Sequence, residues 1–275
     1  MSSLSLKLAQ HFLQEEPAGA ARRLELQSPE VAVELIKTLP LEAAIKVLKV
    51  THPSFAAELF MHIDDVEATR WLDALNTTDI AAIFRHLDEP FFAQKLALLS
   101  LKKQTLCKML VSYPEYTVGA WIEASTLVLD DKMSVEEVLL RLKKRRYQGS
   151  ERLFVLNAER KLVGQVSLYD VLRLSPHESI AATMRMQSDA LSGVTELAAA
   201  LQSPLWKQTD CVAVVNRTGE FIGVLQHHRL RAALNRFQRD NQQTFDTPDL
   251  VDAYTRSIAS LFELVMPSTG QGAKS

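Results

Sequence analysis

A chain of 275 residues, 47% hydrophobic and 23% charged, has globular composition and enough length for two ordinary domains. Its 31 basic and 33 acidic residues leave a formal net charge of -2, without the basic excess of a nucleic-acid binder or the character of a polyanion. Two cysteines, Cys107 and Cys211, stand far apart with no C-x-x-C spacing, which excludes a disulfide scaffold and a zinc ribbon and predicts two buried thiols.

In chain order, the first stretch, MSSLSLKLAQHFLQEEP, lacks the apolar core of a signal peptide. Nor does any later segment approach the roughly 20 apolar residues needed to span a bilayer. The nearest, residues 258–266, is short and contains Glu263. A cytoplasmic protein without a transmembrane segment is expected.

Residues 28–110 repeat with a period of about 12, short for a helical repeat. Breaks fall at Leu39-Pro40, His52-Pro53, Asp64-Asp65, Thr77-Thr78, Glu89-Pro90 and near Ser100. Each is followed by apolar residues at helical spacing, such as Ala56, Leu59, Phe60 and Ile63, or Ala68, Trp71, Leu72 and Leu75. Thr38, Thr51, Asp64, Thr77 and Asp88 sit where N-caps belong, and Pro40, Pro53 and Pro90 suit a first turn. A helix of two or three turns cannot bury its stripe alone, but stacked neighbours can. The pattern predicts a superhelix of short helices over 28–122, with a helical lead-in over 1–27.

From Leu127 the pattern changes to alternating strands and helices. A strand at 127–129 precedes Ser134, which caps a helix with Glu137 three residues on. The hairpin 153–156 and 162–166 follows, then a helix from Leu168. The order recurs as a helix near 194–201, strands 211–215 and 221–225, and a helix from about His228. This is a duplicated α+β unit, about 123–176 and 177–236. The remainder, 237–275, reads as a polar linker, an amphipathic helix over 250–265 and a disordered tail.

The paired segments NAERKLVGQVSLYDVL (157–172) and NRTGEFIGVLQHHRL (216–230) resemble CBS domains. The short-helix array, with LPLEAA (39–44) and YPEYTVG (113–119), resembles the N-terminal domain of MgtE-family magnesium transporters. The resemblance implies a multi-domain chain: an all-α superhelix, a tandem CBS pair and a C-terminal helix. It also implies a non-catalytic, cytosolic regulatory module that senses Mg²⁺ at domain interfaces, takes an adenine nucleotide such as ATP in the CBS pair, and lacks the membrane pore. The protein it would act on is then a separate membrane transporter. The rival reading is a ligand-free, dimeric interaction scaffold.

Three residues of the first copy, Gly164, Ser167 and Asp170, are the nucleotide-binding candidates. A carboxylate in that place can accept hydrogen bonds from both ribose hydroxyls, while a hydroxyl at a helix N-terminus suits phosphate. Helix capping by Ser167 and Asp170 accounts for the same residues. The second copy has Gln226 and Arg229 instead, so at most one nucleotide per pair is expected. Asp246, Asp249 and Asp252 are the candidate Mg²⁺ ligands, because hard cations take loosely spaced carboxylates; capping of the last helix is the alternative. The run Lys143 to Arg146 reads as a solvated C-terminal turn, and His62 and His86 as surface residues at helix ends. No P-loop, G-x-S-x-G, G-x-G-x-x-G or H-E-x-x-H motif occurs, and no enzyme activity is expected. A homodimer through the CBS pair is expected, with Leu230, Ala233 and Leu234 offered to the second copy.

Overall fold

The computed structural model describes residues 16–145, 151–186 and 189–245. The chain divides into a large compact unit, 1–231, and a smaller one, 232–275, of which residues 232–245 are described as helix.

Among the described residues, eight short helices come first: α1 (Pro17–Leu24), α2 (Pro29–Lys37), α3 (Leu41–Val50), α4 (Pro53–His62), α5 (Asp65–Ala74), α6 (Thr77–Phe84), α7 (Glu89–Ala97) and α8 (Leu101–Val111). The array begins one helix earlier than the repeat from residue 28 suggests, since Ala20, Ala21 and Leu24 of α1 are buried. Helix α1 packs on α3, α2 on α4, α3 on α5, α4 on α6, and α6 on α8. That arrangement lets a stripe of three or four apolar side chains per helix join a continuous core. Its centre is Phe60, fully buried, with the Trp71 and Phe84 rings edge-on at 5.9 and 6.4 Å.

Caps decide where the helices start, and here three expectations need correction. Asp64 caps α5 by accepting from the Glu67 N–H at 3.0 Å, as expected. Thr38 and Thr51, however, end α2 and α3, their hydroxyls donating back to the carbonyls of Leu35 (2.7 Å) and Val47 (2.9 Å). Thr77 is the first helical residue of α6, and Asn76 caps it through the Asp79 N–H at 2.8 Å. A hydroxyl satisfies a last-turn carbonyl as readily as a first-turn N–H, so threonine at a break does not fix the side of the break.

Two copies of an α+β unit follow. In the first, β1 (Val128–Asp130), β2 (Arg152–Leu156), β3 (Leu162–Ser167) and β4 (Arg185–Met186) form one sheet in that order, with β1 parallel to β2 and the rest antiparallel. Helices α9 (Val135–Arg145) and α10 (Leu168–Arg173) accompany it. Ser134 and Glu137 form the expected reciprocal cap, with the Ser134 N–H on Glu137 Oε2 at 2.9 Å and the Glu137 N–H on Ser134 Oγ at 3.3 Å. In the second copy, β5 (Leu191–Ser192), β6 (Cys211–Val215) and β7 (Phe221–Gln226) form a three-stranded sheet beside α11 (Leu197–Leu201). Helix α12 runs His227–Phe245.

Alternation along β2 divides its side chains between two cores. Leu153 and Val155 point into the first copy's core with Val138, Val166 and Val171. Phe154 and Leu156 point the other way and pack with Cys211, Ala213, Phe221 and Val224 of the second copy. The two sheets therefore share one interface, with the Phe154 and Phe221 rings 6.0 Å apart. Leu230 and Ala233, expected on an exposed dimer face, are buried, and Leu234 is half-buried. Leu230 therefore stands in the core of the larger unit. Among the described residues no helix is long and apolar enough to cross a membrane. Residues 246–275, including the expected helix 250–265 and the tail, lie outside the described residues.

Candidate functional site

The first copy carries a cleft of about 260 Å³ at the junction of β2, β3, β4 and α10. Glu151, Arg152, Gln165, Ser167, Asp170 and Arg185 line it. Ser167 ends β3 and caps α10, accepting from the Tyr169 N–H at 3.2 Å. Asp170 follows in the first helical turn, where a carboxylate is favoured by the exposed N–H groups. Arg152 is the cross-strand partner of Ser167, and Arg185 that of Gln165. Two guanidinium groups, one hydroxyl and the carboxylates of Glu151 and Asp170 thus line one cleft.

Gly164 plays a different part from Ser167 and Asp170. A Cβ there would stand 2.6 Å from Met184 Cγ and 2.7 Å from the Arg185 carbonyl oxygen. Glycine is needed so that β4 can close on β3 and deliver Arg185 to the cleft. Sequence reasoning missed Arg152 and Arg185. Arg152 was within reach, because a hairpin across the 157–161 turn places it opposite Ser167. Arg185 was not, because β4 is only two residues long and shows no alternating pattern.

The second copy repeats this geometry with different chemistry. Gly223 takes the place of Gly164, and a Cβ on it would lie 2.7 Å from the Glu123 carbonyl oxygen. Glu123 pairs with Val224 through both backbone bonds, at 2.8 and 3.1 Å. Its carboxylate lies 3.9 Å from the Arg229 guanidinium, which stands where the first copy has Asp170.

Elsewhere, His62 lies 3.4 Å from Glu30 at the surface, and the His52 and His86 rings are 6.4 Å apart. Lys143 and Lys144 are exposed at the end of α9, and Arg146 lies outside the described residues. Both cysteines are free and buried, as expected, and burial pushes the Cys107 thiol up to about 12. Among the described residues no three His, Cys, Asp or Glu side chains converge to hold a metal ion. Asp246, Asp249 and Asp252 lie outside the described residues.

Comparison with known proteins settles what this architecture is. Residues 15–116 match the family model of the MgtE intracellular N domain, and residues 123–177 match that of the CBS domain. The chain carries an MgtE N domain followed by a CBS domain. Solved structures agree at the level of fold. The cytosolic domain of the Mg²⁺ channel MgtE in complex with ATP superposes with a TM-score of 0.57 at 20% identity, over 82% of this chain and 99% of that one. The soluble part of a magnesium transporter gives 0.59 at 16% identity, over 84% and 96%. No curated protein matches. The cleft at Ser167 and Asp170 lies within the matched CBS segment, and the Glu123–Arg229 pair joins the start of that segment to the second α+β copy.

Proposed function

We propose that this protein is a non-catalytic regulatory module of the cytoplasm that binds an adenine nucleotide in the cleft of its first CBS unit. The observation that carries this reading is the polarity of that cleft. Arg152 and Arg185 supply planar, permanently charged donors suited to phosphate oxygens. Asp170 supplies an acceptor suited to the ribose hydroxyls, beside the helix N-terminus that Ser167 caps. Likeness in fold to a cytosolic domain solved with ATP supports the same ligand class. Gly164 serves the site by admitting β4, with no direct contact required of it.

Mg²⁺ enters the proposal as the signal, with Asp246, Asp249 and Asp252 as its candidate ligands and a separate membrane transporter as the partner acted on. Oxygen ligands at loose spacing suit a cation that keeps several waters. Limited proteolysis over residues 238–247 should slow as Mg²⁺ reaches the millimolar range. Equal cleavage in Mg²⁺ and in chelator would remove metal sensing and favour the scaffold reading.

Self-association through the CBS pair remains part of the proposal, on a different face from α12. Leu140 of α9 and Tyr169 and Leu172 of α10 are all at least half exposed, and apolar groups so placed suit a second copy. A thermal-shift screen with ATP, ADP, AMP and Mg²⁺ tests the ligand assignment. Stabilisation by at least one adenine nucleotide is expected, and none by any of them would favour the ligand-free scaffold.

A further inference from the structure

The cleft of the first CBS unit balances its own charge. Among the described residues its lining holds two guanidinium groups, Arg152 and Arg185, and two carboxylates, Glu151 and Asp170, together with Gln165 and Ser167. The nucleotide reading assigns roles to both arginines and to Asp170, and none to Glu151. A carboxylate in a phosphate-binding cleft works against the charge of the ligand, so its effect falls on the part of the ligand nearest to it.

Glu151 is held in place by backbone and by side chain. Its carbonyl accepts the Leu168 N–H at 2.8 Å, where β3 passes into α10, and its Oε1 accepts the Tyr169 hydroxyl at 3.3 Å. The second copy repeats the backbone bond, with the His227 N–H on the Asp210 carbonyl at 2.8 Å, so both copies fix an acidic residue at this position. Arg152 follows directly in the chain, opposite Ser167, and its Nη2 donates to the Gln208 carbonyl at 2.9 Å. Part of its donor fork is therefore committed before any ligand arrives. Glu151 is exposed and Arg152 half-buried, which sets the carboxylate at the mouth and the guanidinium further in.

We infer that Glu151 limits this cleft to a nucleotide of one phosphate, so that it takes adenosine monophosphate in preference to the triphosphate. The inference rests on the reading that the cleft binds an adenine nucleotide. A phosphate monoester carries about −1.5 to −2 charges at neutral pH, which two guanidinium groups can neutralise. The outer phosphates of a triphosphate bring about two more negative charges. The described lining residues offer them no further cation, and Glu151 at the mouth repels them. Size agrees, since about 260 Å³ is small beside the roughly 300–1,000 Å³ of most small-molecule sites.

Calorimetry of AMP, ADP and ATP on the full chain, in EDTA to keep the phosphates free of metal, reads the preference. The wild type should bind AMP at least about fivefold tighter than ATP, with ADP between them. Glu151→Gln, which keeps the shape and removes the charge, should tighten ATP by about threefold to fivefold and change AMP by less than about twofold. Raising NaCl from about 50 to about 500 mM should narrow the wild-type preference, because exposed charges are screened, and this arm stands even if the variant fails to fold. A wild type that binds ATP as tightly as AMP, or a folded Glu151→Gln variant with an unmoved ratio, would overturn the inference and leave the nucleotide reading in place. Binding of none of the three by the wild type would remove both.

Discussion

Arg229 lies 3.9 Å from Glu123 in the second CBS unit, and the first unit holds Asp170 and Arg185 in the same register with the charges exchanged. Val224 pairs with Glu123 as Gln165 pairs with Arg185. Duplication kept the backbone and inverted the electrostatics. Glu123 partners Arg229, while in the first unit Arg152, which also donates to the Gln208 carbonyl at 2.9 Å, lines a cleft with Arg185 and Asp170. Because the Glu123–Arg229 pair is about one-third exposed, Glu123→Gln should cost less than about 1 kcal/mol in urea denaturation. Nucleotide stoichiometry in that variant should stay at or below one per chain. A second site appearing on its removal would mean that the pair blocks a competent cleft.

Gly164 and Gly219 separate two reasons for glycine. Gly164→Ala forces a methyl against Met184 and the Arg185 carbonyl and should destabilise by about 1–3 kcal/mol. Gly219→Ala meets nothing within 4 Å, but its φ of +81° should still cost about 1–2 kcal/mol. Only Gly164→Ala should also weaken nucleotide binding, because only it displaces β4 and Arg185. Chemical denaturation and a nucleotide titration on both variants check the distinction.

Stability should fall on acidification through the superhelix. Hydrogen bonds from Lys95 and Gln94 hold the Asp65 carboxyl below its usual range, and the Glu67 N–H does the same for Asp64. A carboxylate with a depressed folded-state pKa contributes fully above its unfolded value, about 3.9, and loses that contribution as pH falls through the folded value. Lys95 itself is buried, 2.8 Å from Asp65 Oδ1 and 3.2 Å from the Ile63 carbonyl. Asp65→Asn should flatten the acid limb of a melting-temperature profile below about pH 4. An unchanged limb would assign acid sensitivity to other carboxylates.

Neither thiol should react with a disulfide reagent at neutral pH in the folded protein. Burial excludes the reagent from both, and Cys107 is held far above its usual pKa by desolvation. Two thiols should appear only in denaturant. Rapid titration of one in the native protein would place it at an opening not visible in this fold.

Much of this architecture was legible because periodicity is local. The stripe Ala68, Trp71, Leu72 marks one short helix, and the hairpin from Leu153 to Val166 marks both strands. Cap assignment failed at Thr38, Thr51 and Thr77, where a hydroxyl can serve either end of a helix. The cleft was half legible: Ser167 and Asp170 follow β3 in sequence, but Arg185 arrives through a two-residue strand that only pairing reveals. Burial of Leu230 was misjudged because a helix stripe does not say which surface covers it. The pairing of residues 118–123 was invisible, since their bonds to Gly193, Thr195 and Val224 join segments about 75 to 100 residues apart.

Isothermal calorimetry of ATP with the wild type and with Asp170→Ala tests the central claim most directly. A hydrogen bond to a charged group contributes roughly 1.5–3 kcal/mol, so the substitution should weaken binding by about tenfold to a hundredfold. Arg229→Ala, in the self-paired second unit, should leave it nearly unchanged. One ATP at most should bind per chain, and the Asp170→Ala variant should bind it more weakly. Absence of ATP, ADP and AMP binding by the wild type, or normal binding by Asp170→Ala, would contradict it.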